Sequence, residues 1–120
     1  MRLLVTGGCG FIGSNFIHRM LEKYPTYQIV NLDKLTYAGN PANLKDIEDN
    51  PNYSFVQGDI CDSRVVNEVM KGIDYVVHFA AESHVDRSIE DGSVFVITNV
   101  LGTNTLLQSA LAHNIKKFIH

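Results

Sequence analysis

Thr6-Gly7-Gly8-Cys9-Gly10-Phe11-Ile12-Gly13 joins a short apolar run to an amphipathic one, with glycine at every third position from Gly7. Glycine permits a tight turn and lets backbone N–H groups come close to a ligand, and the start of a helix leaves such donors without partners. A pyrophosphate suits them, because the helix dipole also favours negative charge there. Asp33 follows about 20 residues later at the end of a second apolar run, the spacing of an acid that takes the ribose hydroxyls of a bound dinucleotide. Its carboxylate would repel the extra phosphate of NADP, which favours NAD, although Lys34 beside it could offset part of that repulsion. A solvated acid at a strand end is the plainer reading of Asp33. Asp59 follows a third run after Gly58, where a carboxylate can accept the adenine amino group or simply form a turn.

These groups need a scaffold that brings several strand ends to one edge. Apolar runs alternate with helical patterns along the chain, the signature of βαβ units and hence of an α/β fold with a Rossmann-type, doubly wound parallel sheet. Strands are expected over residues 2–6, 28–32, 53–57 and 74–79, and a fifth begins within 116–120. Helices are expected over about 11–24, ended by Pro25, and over a short stretch at 42–47. Another is capped by Asp62, with Val65, Val66, Val69 and Met70 inward and Gly72 beyond its end, and a long one covers about 93–113. The fifth strand stops as it starts, so residues 1–120 read as an incomplete dinucleotide-binding domain, the first part of a larger protein.

The 120 residues suit one domain, 45% hydrophobic and 19% charged, and a net charge of -3 offers no basic face for nucleic acid. The run Leu3 to Val5 is too short for a signal peptide or a membrane span, and no later stretch reaches spanning length, so the expected location is the cytoplasm. Cys9 and Cys61 lack the spacing of a zinc or redox pair and read as small residues, one in the glycine loop and one at a strand end; no metal set is expected. His78 lies in a buried strand pattern and reads as a hydrogen-bonded core residue, whereas His18 and His113 read as surface groups on helices. Thr98 and Asn99 interrupt the apolar pattern of the long helix and could face a cofactor or be ordinary polar positions.

A denser polar segment follows the fourth strand: His78-Phe79-Ala80-Ala81-Glu82-Ser83-His84-Val85-Asp86-Arg87-Ser88. With the glycine loop, Asp33-Lys34-Leu35-Thr36-Tyr37-Ala38-Gly39-Asn40 and Asp59-Ile60-Cys61-Asp62, it closely resembles the dTDP-glucose 4,6-dehydratases, a family of extended short-chain dehydrogenases/reductases. UDP-galactose 4-epimerases usually carry a Gly-Leu-Lys type sequence after the corresponding strand and UDP-glucuronate decarboxylases an Ala-Ser-Pro type. Neither is present, which leaves another nucleotide-sugar epimerase or decarboxylase as the second reading.

The resemblance implies NAD as cofactor, with Gly7, Gly10, Phe11, Ile12 and Gly13 at its pyrophosphate. Asp33, Lys34, Leu35 and Thr36 would hold the adenosine ribose region, and Asp59 and Ile60 the adenine. Phe79, Ala80, Ala81, Glu82 and Ser83 would line the nicotinamide side, with Thr98 completing the cofactor shell, while Ser83 and His84 would touch dTDP-glucose or a related nucleotide sugar. The implied reaction removes hydride from sugar C4, eliminates water across C5 and C6, and returns the hydride at C6. The family's Tyr-x-x-x-Lys and Asp-Glu acid/base groups fall beyond His120, as does its sugar-nucleotide domain. No catalytic residue is therefore expected in this chain, which should be inactive alone, and a homodimer is expected for the complete protein. A gene product that ended at His120 would instead be a non-catalytic nucleotide-binding module.

Overall fold

The computed structural model describes residues 1–35, 40–80 and 97–120, the last segment without the side chains of residues 97 and 98. Its order is β1 (Arg2–Thr6), α1 (Phe11–Lys23), β2 (Gln28–Asp33), a 3-10 helix (Pro41–Ile47), β3 (Tyr53–Gln57), α2 (Ser63–Met70) and β4 (Tyr75–His78). A π-helical stretch (Ile97–Gly102) then leads into α3 (Thr103–Ala112) and β5 (Lys117–Ile119). The five strands form one sheet in the order β3-β2-β1-β4-β5, and every pairing is parallel.

The alternation of side chains along a strand explains the layers. Leu3 and Val5 point to one face, where they pack with Ile17 and Leu21 of α1 and Leu44 of the 3-10 helix. Leu4 points to the other and meets Val66 and Met70 of α2 and Leu106 and Ala110 of α3. Both faces of β1 are thus covered, and this accounts for its uninterrupted apolar run. Asp62 caps α2 by accepting the Arg64 N–H at 3.0 Å, and Gly72 follows that helix in the left-handed region at φ +75°, as the sequence predicts.

Some boundaries move. The second strand runs one residue further than expected and includes Asp33, because its ladder with β3 continues to the Asp33–Gln57 pair. The fourth strand is shorter, and the short helix is a 3-10 helix that Asn40 caps through the Ala42 N–H at 3.0 Å. Of the long helix expected over 93–113, the first residues lie outside the described ones, and its start here is π-helical. A Cβ at Gly102 would overlap the Ile60 side chain, so glycine lets this helix approach the end of the sheet closely.

His18 is not a mere surface group: its Nε2 lies 2.8 Å from Asp46 Oδ1, joining α1 to the 3-10 helix. That hydrogen bond holds the Asp46 carboxyl below the usual carboxylate range. His113 is half-buried at the end of α3, with Nδ1 2.8 Å from the Ser109 carbonyl oxygen. Among the described residues no helix is long and apolar enough to cross a membrane, and no cluster of side chains could hold a metal ion.

Candidate functional site: a crevice at the carboxyl ends of the strands

Chain order reverses across β1, since β2 and β3 lie on one side of it and β4 and β5 on the other. Open α/β sheets form a ligand crevice at such a reversal, outside the carboxyl ends of the strands. Here those ends are Thr6, Asp33, Gln57 and His78, and the glycine loop crosses above them.

The loop's hydrogen bonds decide which of its groups can meet a ligand. The N–H of Gly7 donates to the Leu32 carbonyl at 3.0 Å, that of Gly8 to Asn31 Oδ1 at 3.0 Å and that of Cys9 to Asp33 Oδ2 at 2.8 Å. The N–H of Gly10 turns back to the Gly7 carbonyl at 3.2 Å. All four are satisfied within the protein. The first helical bond runs from the Ser14 N–H to the Gly10 carbonyl at 2.9 Å, and no side chain caps α1. Donors for an anion are therefore the N–H groups of Phe11, Ile12 and Gly13 in the first turn of the helix. Phe11 and Ile12 are 80% and 67% exposed, which is unusual for residues of their size.

The glycines of the loop differ in what they do. At Gly7, φ is +72° and a Cβ would come within 2.6 Å of the Ala80 nitrogen, so glycine seats the loop on the segment leaving β4. A Cβ on Gly13 would overlap the Gly7 carbonyl oxygen and come 2.8 Å from the Gly8 Cα, so glycine lets the helix pack on its own loop. Gly10 is different, because among the described residues its Cβ would meet only the Gly7 oxygen, at 3.5 Å. No other described residue lies in contact with that position.

Asp33 is buried at 7% exposure, which overturns the reading of a solvated strand-end acid. Its place at the end of an interior strand encloses it, and both oxygens are held, Oδ2 by Cys9 and Oδ1 by the Leu35 N–H at 2.8 Å. Leu35 adopts φ +60° to make this bond. Lys34 is exposed, and its Nζ lies 3.3 Å from Asp59 Oδ2. Asp59 forms the turn that the sequence allowed, its Oδ1 accepting the Cys61 N–H at 2.9 Å. Burial pushes the Asp59 carboxyl up, but the Cys61 N–H and the Lys34 ammonium outweigh it and hold the group below its ordinary value. Ile60 is buried in the core beneath them.

Asn31 was not singled out by the sequence reading. It stands fully buried on β2, accepts from Gly8, and donates through Nδ2 to the Tyr53 hydroxyl at 3.1 Å and to Cys9 Sγ at 3.5 Å. A single polar residue inside Ile29-Val30-Asn31-Leu32 was its signal. Burial, then the Asp33 charge, pushes the Cys9 thiol up to about 11, consistent with a small packing residue rather than a nucleophile.

At the reversal itself His78 is the hydrogen-bonded core residue that its pattern implies. It bonds Thr6 Oγ1 through Nδ1 and lies 3.0 Å from Thr103 Oγ1 through Nε2. The Ala80 N–H donates to the same Thr6 oxygen at 3.3 Å. Each threonine hydroxyl can donate or accept, so the pair satisfies both ring nitrogens of the neutral imidazole. Burial, assisted by the His120 ring stacked at 4.9 Å, pushes the His78 pKa down to about 4. Phe79 is half-buried against the Phe16 ring at 5.4 Å. Thr36, Ala81, Glu82, Ser83 and His84 lie outside the described residues, as does the side chain of Thr98.

Residues 4–120 match the family model of GDP-mannose 4,6 dehydratase. The chain belongs to this family. Within the family it is 52% identical over 124 residues to the dTDP-glucose 4,6-dehydratase of Streptomyces niveus, covering all of this chain and 37% of the relative. The dTDP-glucose 4,6-dehydratase of Streptomyces venezuelae, solved with NAD and TYD bound, superposes with a TM-score of 0.96 at 52% identity over 100% of this chain and 38% of that one. The UDP-glucose 4-epimerase of Thermotoga maritima superposes at 0.87 with 31% identity, over 98% of this chain and 36% of that one. The resemblance read from the sequence is thus borne out, as is the Rossmann-type fold. The chain spans little more than a third of the length of the relatives it matches.

Proposed function

We propose that this chain is the NAD-binding part of a dTDP-glucose 4,6-dehydratase. The observation that carries the proposal is the helix start. The loop's own N–H groups are satisfied from Gly7 to Gly10, the first turn of α1 is uncapped, and among the described residues only the Gly7 oxygen bounds the space beside Gly10, next to Cys9, whose N–H is held by the buried Asp33 carboxylate of the next strand. A dinucleotide fits that arrangement, with its pyrophosphate on Phe11, Ile12 and Gly13 and its adenosine ribose on Asp33. Gly7 and Gly10 contribute shape, and Asn31 and Asp33 hold the loop ready before ligand arrives.

Lys34 and Leu35, with Thr36, complete the ribose side, Asp59 and Ile60 the adenine side, and Phe79 to Ser83 with Thr98 the nicotinamide side. Ser83 and His84 would meet the sugar nucleotide. Bound NAD would supply a hydride acceptor that is regenerated within each turnover. The chain's part is to bind and orient, because oxidation at sugar C4 is what acidifies the C5 proton for elimination of water from C5 and C6. The resemblance assigns the groups that move those protons to sequence beyond His120, and it also carries the expectation of a homodimer for the complete protein.

The test is mass spectrometry of dTDP-glucose after incubation with the product of the whole reading frame. A product lighter by one water, formed with no net consumption of NAD, is expected. An unchanged mass refutes the dehydratase, and an isomeric sugar of unchanged mass would instead support an epimerase like the Thermotoga maritima relative.

A further inference from the structure

We infer that Asp59 is a specificity-determining residue, which disfavours a 2′-phosphorylated dinucleotide by engaging Lys34, the cation that directly follows the ribose acid Asp33. This rests on the dinucleotide reading above. Lys34 follows Asp33 directly and is exposed, with 59% of its side chain accessible, so it has the reach to meet a 2′-phosphate. Its Nζ instead lies 3.3 Å from Asp59 Oδ2.

The pairing is built into the fold. β2 and β3 run parallel to the Asp33–Gln57 pair, and the Gly58 N–H donates to the Asp33 carbonyl at 3.1 Å, which sets the two strand ends side by side. The turn that follows fixes the carboxylate, since Oδ1 is held by the Cys61 N–H at 2.9 Å and Oδ2 is left for Lys34. The segments that leave these strands, residues 33–40 and 57–62, contain Asp33, Asp59 and Asp62 but no cation other than Lys34. Asp62 is engaged in capping α2. A dianionic phosphate at the ribose would therefore face the buried Asp33 carboxylate and a lysine whose charge is already balanced. Asp33 alone explains rejection of the phosphate at short range. Asp59 removes the means by which that rejection could be overcome.

The experiment measures dissociation constants for NAD and NADP by calorimetry on the full reading-frame product at low and moderate salt. Asp59→Asn keeps an oxygen acceptor for the Cys61 N–H, and Asp59→Ser offers a second variant that retains turn chemistry. Each is expected to lower the ratio of NADP to NAD dissociation constants at least tenfold, more at low salt than at moderate salt. Adding Lys34→Met to either variant is expected to restore the parental ratio. The ratio cancels any general loss of affinity that a disturbed adenine side would cause. An unchanged ratio in both Asp59 variants, or a lowered ratio that survives Lys34→Met, overturns the inference while leaving NAD binding intact. A parent protein that binds neither dinucleotide overturns the dinucleotide reading and this inference with it.

Discussion

One added methyl group, placed at either of two glycines three residues apart, should have opposite consequences. Gly10 precedes α1 with φ -76° and ψ 175°, an extended conformation open to any residue, and its Cβ would lie 3.5 Å from the nearest atom of the described residues. Gly10→Ala replaces a good helix-start residue by a poor one, at about 0.5 to 1 kcal/mol. Reduced freedom of the unfolded chain returns about 0.4 to 1 kcal/mol, so stability should stay within about 0.5 kcal/mol of the parent. In the proposed NAD site the new carbon would stand where the pyrophosphate approaches, and NAD should bind at least ~10-fold more weakly, a loss of ~1.4 kcal/mol. Gly13→Ala drives the same carbon into the Gly7 carbonyl oxygen and to 2.8 Å from the Gly8 Cα, both backbone. Such overpacking costs about 1 to 3 kcal/mol. At about 4 °C per kcal/mol for a domain of this size, that lowers Tm by about 4 to 12 °C. Thermal melts and NAD calorimetry on both variants separate the cases. A Gly10→Ala protein that melts as early as Gly13→Ala, or that binds NAD at parental affinity, would refute the assignment of Gly10 to the ligand and Gly13 to the fold.

Further outcomes follow from the groups beneath the loop. Asp33→Ala should weaken NAD binding and, by leaving the Cys9 and Leu35 N–H groups without acceptors, cost about 1 to 3 kcal/mol of stability; calorimetry showing unchanged affinity would remove Asp33 from the ribose. Asn31→Leu conserves size but strands the Gly8 N–H and the Tyr53 hydroxyl, and should cost a similar amount by chemical denaturation. His78 remains neutral in the fold down to pH about 4, whereas in the unfolded chain it protonates from about pH 6.5 downward. Because the unfolded state then binds more protons, this histidine makes stability fall as pH drops from about 6.5 to 4 and level off below, by about 3 kcal/mol in total. Denaturant midpoints across that range should show the slope in the parent and a shallower one in His78→Gln.

Much of this was legible in the order of residues because it depends on local periodicity. The apolar runs of β1 to β4, the amphipathic α1, the Asp62 cap and the left-handed Gly72 are each specified within a few residues, so the sequence alone predicts an alternating α/β fold with strand-end acids. The glycine spacing likewise marks the loop before any contact is known. The sequence does not say which glycine is required by packing, since that depends on what lies across from each: among the described residues, Ala80 for Gly7, the loop itself for Gly13, and only the Gly7 oxygen for Gly10.

The tertiary structure decided the partners. Asn31 could have been an irregularity in a strand, Asp33 a solvated acid and Lys34 a phosphate ligand, until parallel register brought Gly8, Cys9 and Asp59 to them from 23 to 25 positions away. Thr6 and His78, 72 residues apart, meet only because β1 and β4 are neighbours at the point where the sheet reverses. Backbone propensity is local and can be read along the chain, whereas the hydrogen bonds and ion pairs that set charge and position at this site arise between strands whose order no single segment specifies.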